Sequence, residues 1–251
     1  MTSEIFLEPR IVSGPEECTF YHTLDLPGFG LQHGNWDLRR RIDRYLSPVD
    51  FRNRRVLEVG ASDGYLVVEL EKRGAEVIAF DLPLETPYDR FPGSPEPAPG
   101  DRRRRVHNAF WLVLQQHGSK ARRAQGHAGN LPAAIGPVDY CFIGNVMVHL
   151  KDPMQALTSA AALAKEGIIV TEALWDTTLD LDRPIMQLMT PQKIAQGDPS
   201  WFCHWWQVTP GVVSAWLSIL GFPRIERYEH RQLFAETGAE VPHFTIVARR
   251  R

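Results

Sequence analysis

At 251 residues and 43% hydrophobic content the chain is long enough to bury a full core, and a formal charge of −2 lacks the strongly basic total typical of nucleic-acid proteins. No apolar run reaches the roughly 18 residues that a membrane span needs, and the acidic start MTSEIFLEPRIVSGPEE has no signal-peptide core, so a soluble cytoplasmic protein is expected. Cys18, Cys141 and Cys203 are odd in number and widely spaced, form neither a disulfide framework nor a paired zinc motif, and read as buried thiols.

In chain order, RVLEVGA reads as a short buried strand, GYLVVELEKRG as a helix closed by Gly74, and AEVIAFDLP as a second strand ending at Asp81. That is a βαβ unit. A proline-rich surface insertion follows at 84–106, with YDRFPGSPEPAPGD as its irregular heart. HNAFWLVLQQHG then predicts a helix, and KARRAQGHAGN a strand with its loop. VDYCFIGNV is a central strand, DPMQALTSAAALAKEG a helix started by Asp-Pro and ended by Gly167, and GIIVTEAL another buried strand. TPGVVSAWLSILGF is helical, and RIERYEHRQL with HFTIVARR forms a final antiparallel pair. The alternation predicts an α/β fold with a mostly parallel sheet covered by helices on both faces. No linker divides the chain, so one domain over residues 1–251 is expected.

Ligands of such sheets sit beyond the carboxyl ends of the strands. The residues to read are therefore Glu58 to Gly64, Asp81, Asn130, Asn145 to His149, and Glu172 to Asp176. The EVGASDG turn lacks the third glycine of a dinucleotide fingerprint and the Gly-Lys-Ser/Thr of a P-loop. Glu58 and Asp63 would also repel a pyrophosphate there. A ligand with a cationic amino-acid end and an adenosine suits those carboxylates, and S-adenosylmethionine has that shape. Gly60 permits close backbone approach. Asp81 lies a little over 20 residues beyond Glu58, where an acid binds both ribose hydroxyls.

The stretch VLEVGASDGYLVVELEKRGAEVIAFDLP resembles the first two motifs of class I S-adenosylmethionine-dependent methyltransferases, with Ser62 at the middle glycine of Gly-x-Gly-x-Gly. FYHTLDLPGFGLQHGNWDLRRRIDRYL, GNVMVHLKDPMQAL and HWWQVTPGVVSAWLSILGF extend the likeness to the tRNA wobble-uridine methyltransferase-like group. The resemblance implies a Rossmann-like, mostly parallel seven-stranded sheet with an antiparallel C-terminal strand. It also implies that residues 1–50 form a lid over a core at 51–251, with Tyr21, His22 and Trp36 near the methyl donor. Glu58, Gly60, Ser62 and Gly64 would line the methionine portion, Asp81 with Leu82 the ribose and adenine, and Asn130 with Leu131 the adenine amino group. Asn145 would face the donor from the opposite side.

Methyl transfer needs an aligned nucleophile and, for a hydroxyl, removal of its proton. His149, just beyond the strand that carries Asn145, is the first candidate base. Glu172 and Asp176, with His149 or His204, offer a Mg²⁺ site that would orient an acceptor hydroxyl, although no spacing demands a metal. WFCHWW, with Trp36 and Trp175, reads as core or as a wall against a sugar or flat acceptor. The runs at Arg39–Arg41, Arg102–Arg105 and Arg249–Arg251 read as solvated faces or as an anionic-substrate patch. Three functions are open: O-methylation of a small hydroxylated metabolite, methyl or carboxymethyl transfer to a tRNA wobble uridine, and a non-catalytic cofactor-binding scaffold. A homodimer is the base-rate assembly.

Overall fold

Runs of β-branched and aromatic residues become strands in the computed structural model, which describes residues 5–92, 101–189 and 203–250. Ahead of residue 50 the elements are short: β1 (Phe6–Leu7), β2 (Leu24–Leu26), β3 (Gly30–Gln32), β4 (Trp36–Asp37) and α1 (Ile42–Leu46). The repeating core runs β5 (Arg55–Val59), α2 (Tyr65–Lys72), β6 (Glu76–Asp81), α3 (Asp101–His117), β7 (Arg122–Gln125), β8 (Val138–Gly144), α4 (Pro153–Leu163) and β9 (Ala164–Ala173). After β10 (Met186–Leu188) and β11 (Trp206–Val208), α5 (Pro210–Ile219) leads into the antiparallel hairpin β12 (Arg224–Phe234) and β13 (Ala239–Arg249).

One sheet has the order β1-β7-β6-β5-β8-β9-β13-β12-β4. The five strands from β7 to β9 are parallel, and β13 runs antiparallel to β9. These five with β12 and β13 are the seven expected strands, and β1 and β4 extend the sheet to nine by pairing at its two edges. Strands of two residues leave no periodic signal, so the sequence pattern could not reveal them. Tyr45, Val67 and Phe110 of α1, α2 and α3 belong to the core on one face; Leu157 and Val213 of α4 and α5 belong to the core on the other. No described helix is long and apolar enough to cross a membrane.

Helix α3 begins at Asp101, earlier than expected, so the arginine run at 102–105 is helical and the irregular insertion is shorter. Residues 93–100 of that insertion lie outside the described residues. The arginines are tied into the fold. Arg103 donates to the Pro83 and Thr86 carbonyls, and Arg105 to the Cys18 carbonyl and the Thr19 hydroxyl. Arg39 pairs with Asp37 and Asp25, Arg41 with Glu240, and Arg249 with Glu226.

The N-terminal segment is a strap. From β1 at the β7 edge it follows α3, where Asn108 Nδ2 donates to the Glu17 carbonyl at 3.0 Å. It then crosses the turn that follows β5 and reaches the opposite edge as β4, with Trp36 and Asp37 opposite Phe234 and Leu233 of β12.

Candidate active site

The site is built on the turn between β5 and α2, where the two glycines serve different neighbours. Both have left-handed backbones, at φ 89° for Gly60 and 82° for Gly64. A Cβ on Gly60 would meet Val146 Cγ2 at 2.3 Å, so that glycine admits the loop after β8. A Cβ on Gly64 would meet Leu114 Cδ1 at 2.8 Å. Gly64 therefore lets α2 pack on α3, a different role from lining the methionine portion. Ser62 also adopts a left-handed φ of 47°, which costs a side-chain-bearing residue about 1–2 kcal/mol. Its N–H donates to Asp81 Oδ2 at 2.8 Å, and Leu82 N–H donates to Asp81 Oδ1 at 2.7 Å. Asp81 thus fixes the turn from the end of the neighbouring strand.

Glu58 is 1% exposed, and neither carboxylate oxygen has a hydrogen-bond partner. Burial, and then the charges of Asp81 and Asp63, push its carboxyl well above the ordinary range. Such a group lacks a cation with donors. Asp63 is different. Its Oδ2 accepts the N–H groups of Tyr21 at 2.8 Å and His22 at 2.7 Å, and its Oδ1 lies 2.7 Å from His22 Nδ1. Burial alone would raise this carboxyl, but the charge and hydrogen bonds of His22 hold it below the usual range. Asp63 therefore clasps the strap instead of facing a ligand.

On the other rim, Asn145 has φ 52°, its Oδ1 accepts from Ala173 N–H at 2.9 Å, and its amide nitrogen is 3.4 Å from His243 Nε2. The amide joins the ends of β8, β9 and β13, where the sequence reading had it facing the methyl donor. Glu172, expected to help hold Mg²⁺, likewise holds backbone. Its Oε1 accepts from Val146 N–H at 2.9 Å and Met147 N–H at 2.7 Å, anchoring the one-turn helix Met147–His149. Burial pushes the Glu172 carboxyl up to about 8.

A carboxyl whose folded pKa is raised favours the fold below its unfolded value, and that contribution is lost as pH climbs toward the folded one. Glu172→Gln keeps an oxygen for both N–H groups and cannot ionise. Its stability relative to the native chain should therefore rise between about pH 4.3 and about 8. Urea unfolding at both ends of this window checks the sign, and a pH-independent difference would remove Glu172 as the titrating group.

His149 ends the one-turn helix, and its Nδ1 lies 3.0 Å from the Cys203 carbonyl. Burial lowers its pKa, which favours the neutral imidazole. Its ring centroid is 4.7 Å from that of His204. Asp176 Oδ1 accepts from the Thr178 N–H and hydroxyl, and Glu172 holds backbone, so the expected Mg²⁺ set of Glu172, Asp176 and a histidine is not assembled. The grouping present is His149, Cys203 and His204.

The tryptophans divide. Trp36 is buried against Phe234 and Trp175, and its Nε1 donates to Tyr21 Oη at 3.1 Å. Trp205 stacks on Phe91 at 4.2 Å, Trp206 donates to the Lys151 carbonyl, and Trp201 lies outside the described residues. Asn130 is exposed at the end of a one-turn helix, and Leu131 is buried with its N–H on Ser159 Oγ.

Sequence reasoning missed Arg123 and gave Val146, though within Asn145 to His149, no role of its own. Arg123 is 1% exposed and 3.8 Å from Asp81 Oδ2, yet in sequence it looks no different from Arg122. The sequence reading also took Cys203 for a buried thiol, whereas it is half-buried beside His204.

A doubly wound sheet of this order, with a glycine turn after its central strand and an acid ending the next, defines a Rossmann-like methyltransferase fold. The chain belongs to the methyltransferase-domain family, whose model matches residues 32–237. No curated protein matches the sequence. Among solved structures, the N-terminal domain of EvdMO1 in the presence of S-adenosylhomocysteine and D-fucose is 20% identical with a TM-score of 0.54, over 89% of this chain and 86% of that one. Magnesium protoporphyrin IX methyltransferase from Synechocystis PCC 6803 is 16% identical with a TM-score of 0.50, over 80% and 76%. An O-methyltransferase family protein from Burkholderia thailandensis is 11% identical with a TM-score of 0.56, over 85% and 56%.

Proposed function

We propose that the chain transfers a methyl group from S-adenosylmethionine to a hydroxyl of a small metabolite, with a saccharide as the leading acceptor class. The observation that carries the reading is Glu58, a buried carboxyl with two unpartnered oxygens beneath the glycine turn. A cationic amino-acid end supplies both the charge and the donors it lacks. Asp81, at the end of β6, is partly exposed and would receive the ribose hydroxyls. When bound, the cofactor supplies an electrophilic methyl group. His149, placed by the Glu172-anchored helix, and His204 beside it are the groups that would take the acceptor proton.

D-fucose in the EvdMO1 structure supports a sugar acceptor. Transfer to tRNA is less well supported, because arginines of all three runs are engaged within the fold. This reading treats residues 1–251 as one cytoplasmic catalytic domain capped by residues 1–50, with a homodimer as its base-rate assembly. Calorimetric titration with S-adenosylmethionine and S-adenosylhomocysteine should show binding of both. Product S-adenosylhomocysteine should then appear with pooled hydroxylated metabolites and not with bulk tRNA. Binding without turnover in either pool would favour the scaffold reading, and no binding would end the assignment.

A further inference from the structure

The three side chains His149, Cys203 and His204 make a set that proton transfer alone does not use. We propose that they form a binding site for one divalent transition metal of the zinc class. One ligating atom of each lies within 4.8 Å of the other two. Around tetrahedral Zn²⁺, nitrogen and sulfur ligands sit roughly 3.3–3.6 Å apart, so a closure of about an ångström completes the shell. Rotation of the Cys203 and His204 side chains toward His149 would supply it.

Two further features prepare the site. The bond between His149 Nδ1 and the Cys203 carbonyl, 3.0 Å long, fixes the proton on Nδ1 and leaves Nε2 with the lone pair. The two ligand-bearing segments are also joined by backbone, since Trp205 N–H donates to the Val148 carbonyl at 2.7 Å. His149 and His204 are thereby held by neighbours bonded to each other. The set is therefore positioned by main chain on both sides, which lowers the entropy of assembling it.

Two imidazoles and a thiolate select Zn²⁺ or Co²⁺ over Mg²⁺, whose preferred donors are oxygens. Three protein ligands also leave a fourth position open, the pattern of catalytic rather than structural zinc. Metal binding stands on the cluster alone. The metal's task, holding and acidifying the acceptor hydroxyl, rests on the methyltransferase reading above, and with both imidazoles ligating, it replaces their part as proton acceptors.

The test loads the purified full chain with Zn²⁺ or Co²⁺, removes excess metal by dialysis, and measures metal content, the cobalt spectrum and S-adenosylmethionine affinity together. One equivalent of metal is expected, with a thiolate-to-cobalt charge-transfer band. That band should vanish in Cys203→Ser, while Cys18→Ser keeps it. His204→Ala should weaken metal binding by at least the roughly 10- to 100-fold that even a supporting partner is worth. Cofactor affinity should be retained in the Cys203 and His204 variants. A native chain that retains no metal overturns the site, as does a band that survives in folded Cys203→Ser. Metal bound without cofactor binding upholds the site and removes the methyltransferase reading instead.

Discussion

Asp81→Ala should weaken S-adenosylmethionine binding by at least about 1.5–3 kcal/mol, the scale of a hydrogen bond to a charged group, or roughly 10- to 150-fold in Kd. Two losses combine. The variant removes the acid that would receive the ribose, and it frees the Ser62 N–H that Asp81 Oδ2 accepts at 2.8 Å. Ser62 would then have no anchor for its left-handed backbone, and the turn that presents Gly60 would relax. Asp81→Asn separates the two effects, because an amide oxygen still accepts one N–H but carries no charge. Calorimetry gives the affinity and thermal unfolding gives the stability of the turn. An Asp81→Ala protein that binds the cofactor as the native chain does would invalidate the cofactor site.

His149→Ala should lower turnover by roughly 10²–10⁴-fold, the usual worth of a positioned proton-transfer group. Cofactor affinity should change little, because the cofactor reading rests on Glu58 of β5 and Asp81 of β6, whereas His149 is carried by the one-turn helix after β8. The expected signature is a fall in kcat at saturating S-adenosylmethionine with a nearly unchanged Kd. A fully active variant would exclude His149 from the chemistry, whether as a base or as a ligand.

The sheet was readable because its signal is local. Buried runs such as RVLEV and the glycine that ends α2 lie within a few residues of what they specify, whereas Gly167, expected to end α4, lies inside β9 because the chain passes straight from Leu163 into the strand. The position of Asp81, at the end of β6 beside the glycine turn, was readable for a related reason: a βαβ unit fixes its distance from Glu58. The roles of Asp63, Asn145 and Glu172 were not. Each is a polar residue at or beyond a strand end, and what it faces is set by a remote partner: His22 for Asp63, His243 for Asn145, and the Val146–Met147 backbone for Glu172. A ligand-facing acid and one that clasps backbone look alike in sequence. The arginine runs divide for the same reason: Arg40, Arg102 and Arg104 are exposed, as a solvated face would be, but the carbonyls that receive Arg103 and Arg105 belong to other segments.

The strap joins opposite sides of the sheet through β1 and β4, and its middle is held to the glycine turn by Asp63. Mechanically it is a suspended span. Lifting its middle would break the Asp63 bonds and expose the buried Phe20, Leu24 and Leu26, but with both moorings held this is a local opening and not loss of the fold. Return is then a first-order event at high effective concentration, independent of how dilute the protein is. Cutting either mooring would turn the span into a loose tail, slowing its return and leaving one margin of the sheet open to pairing with another chain.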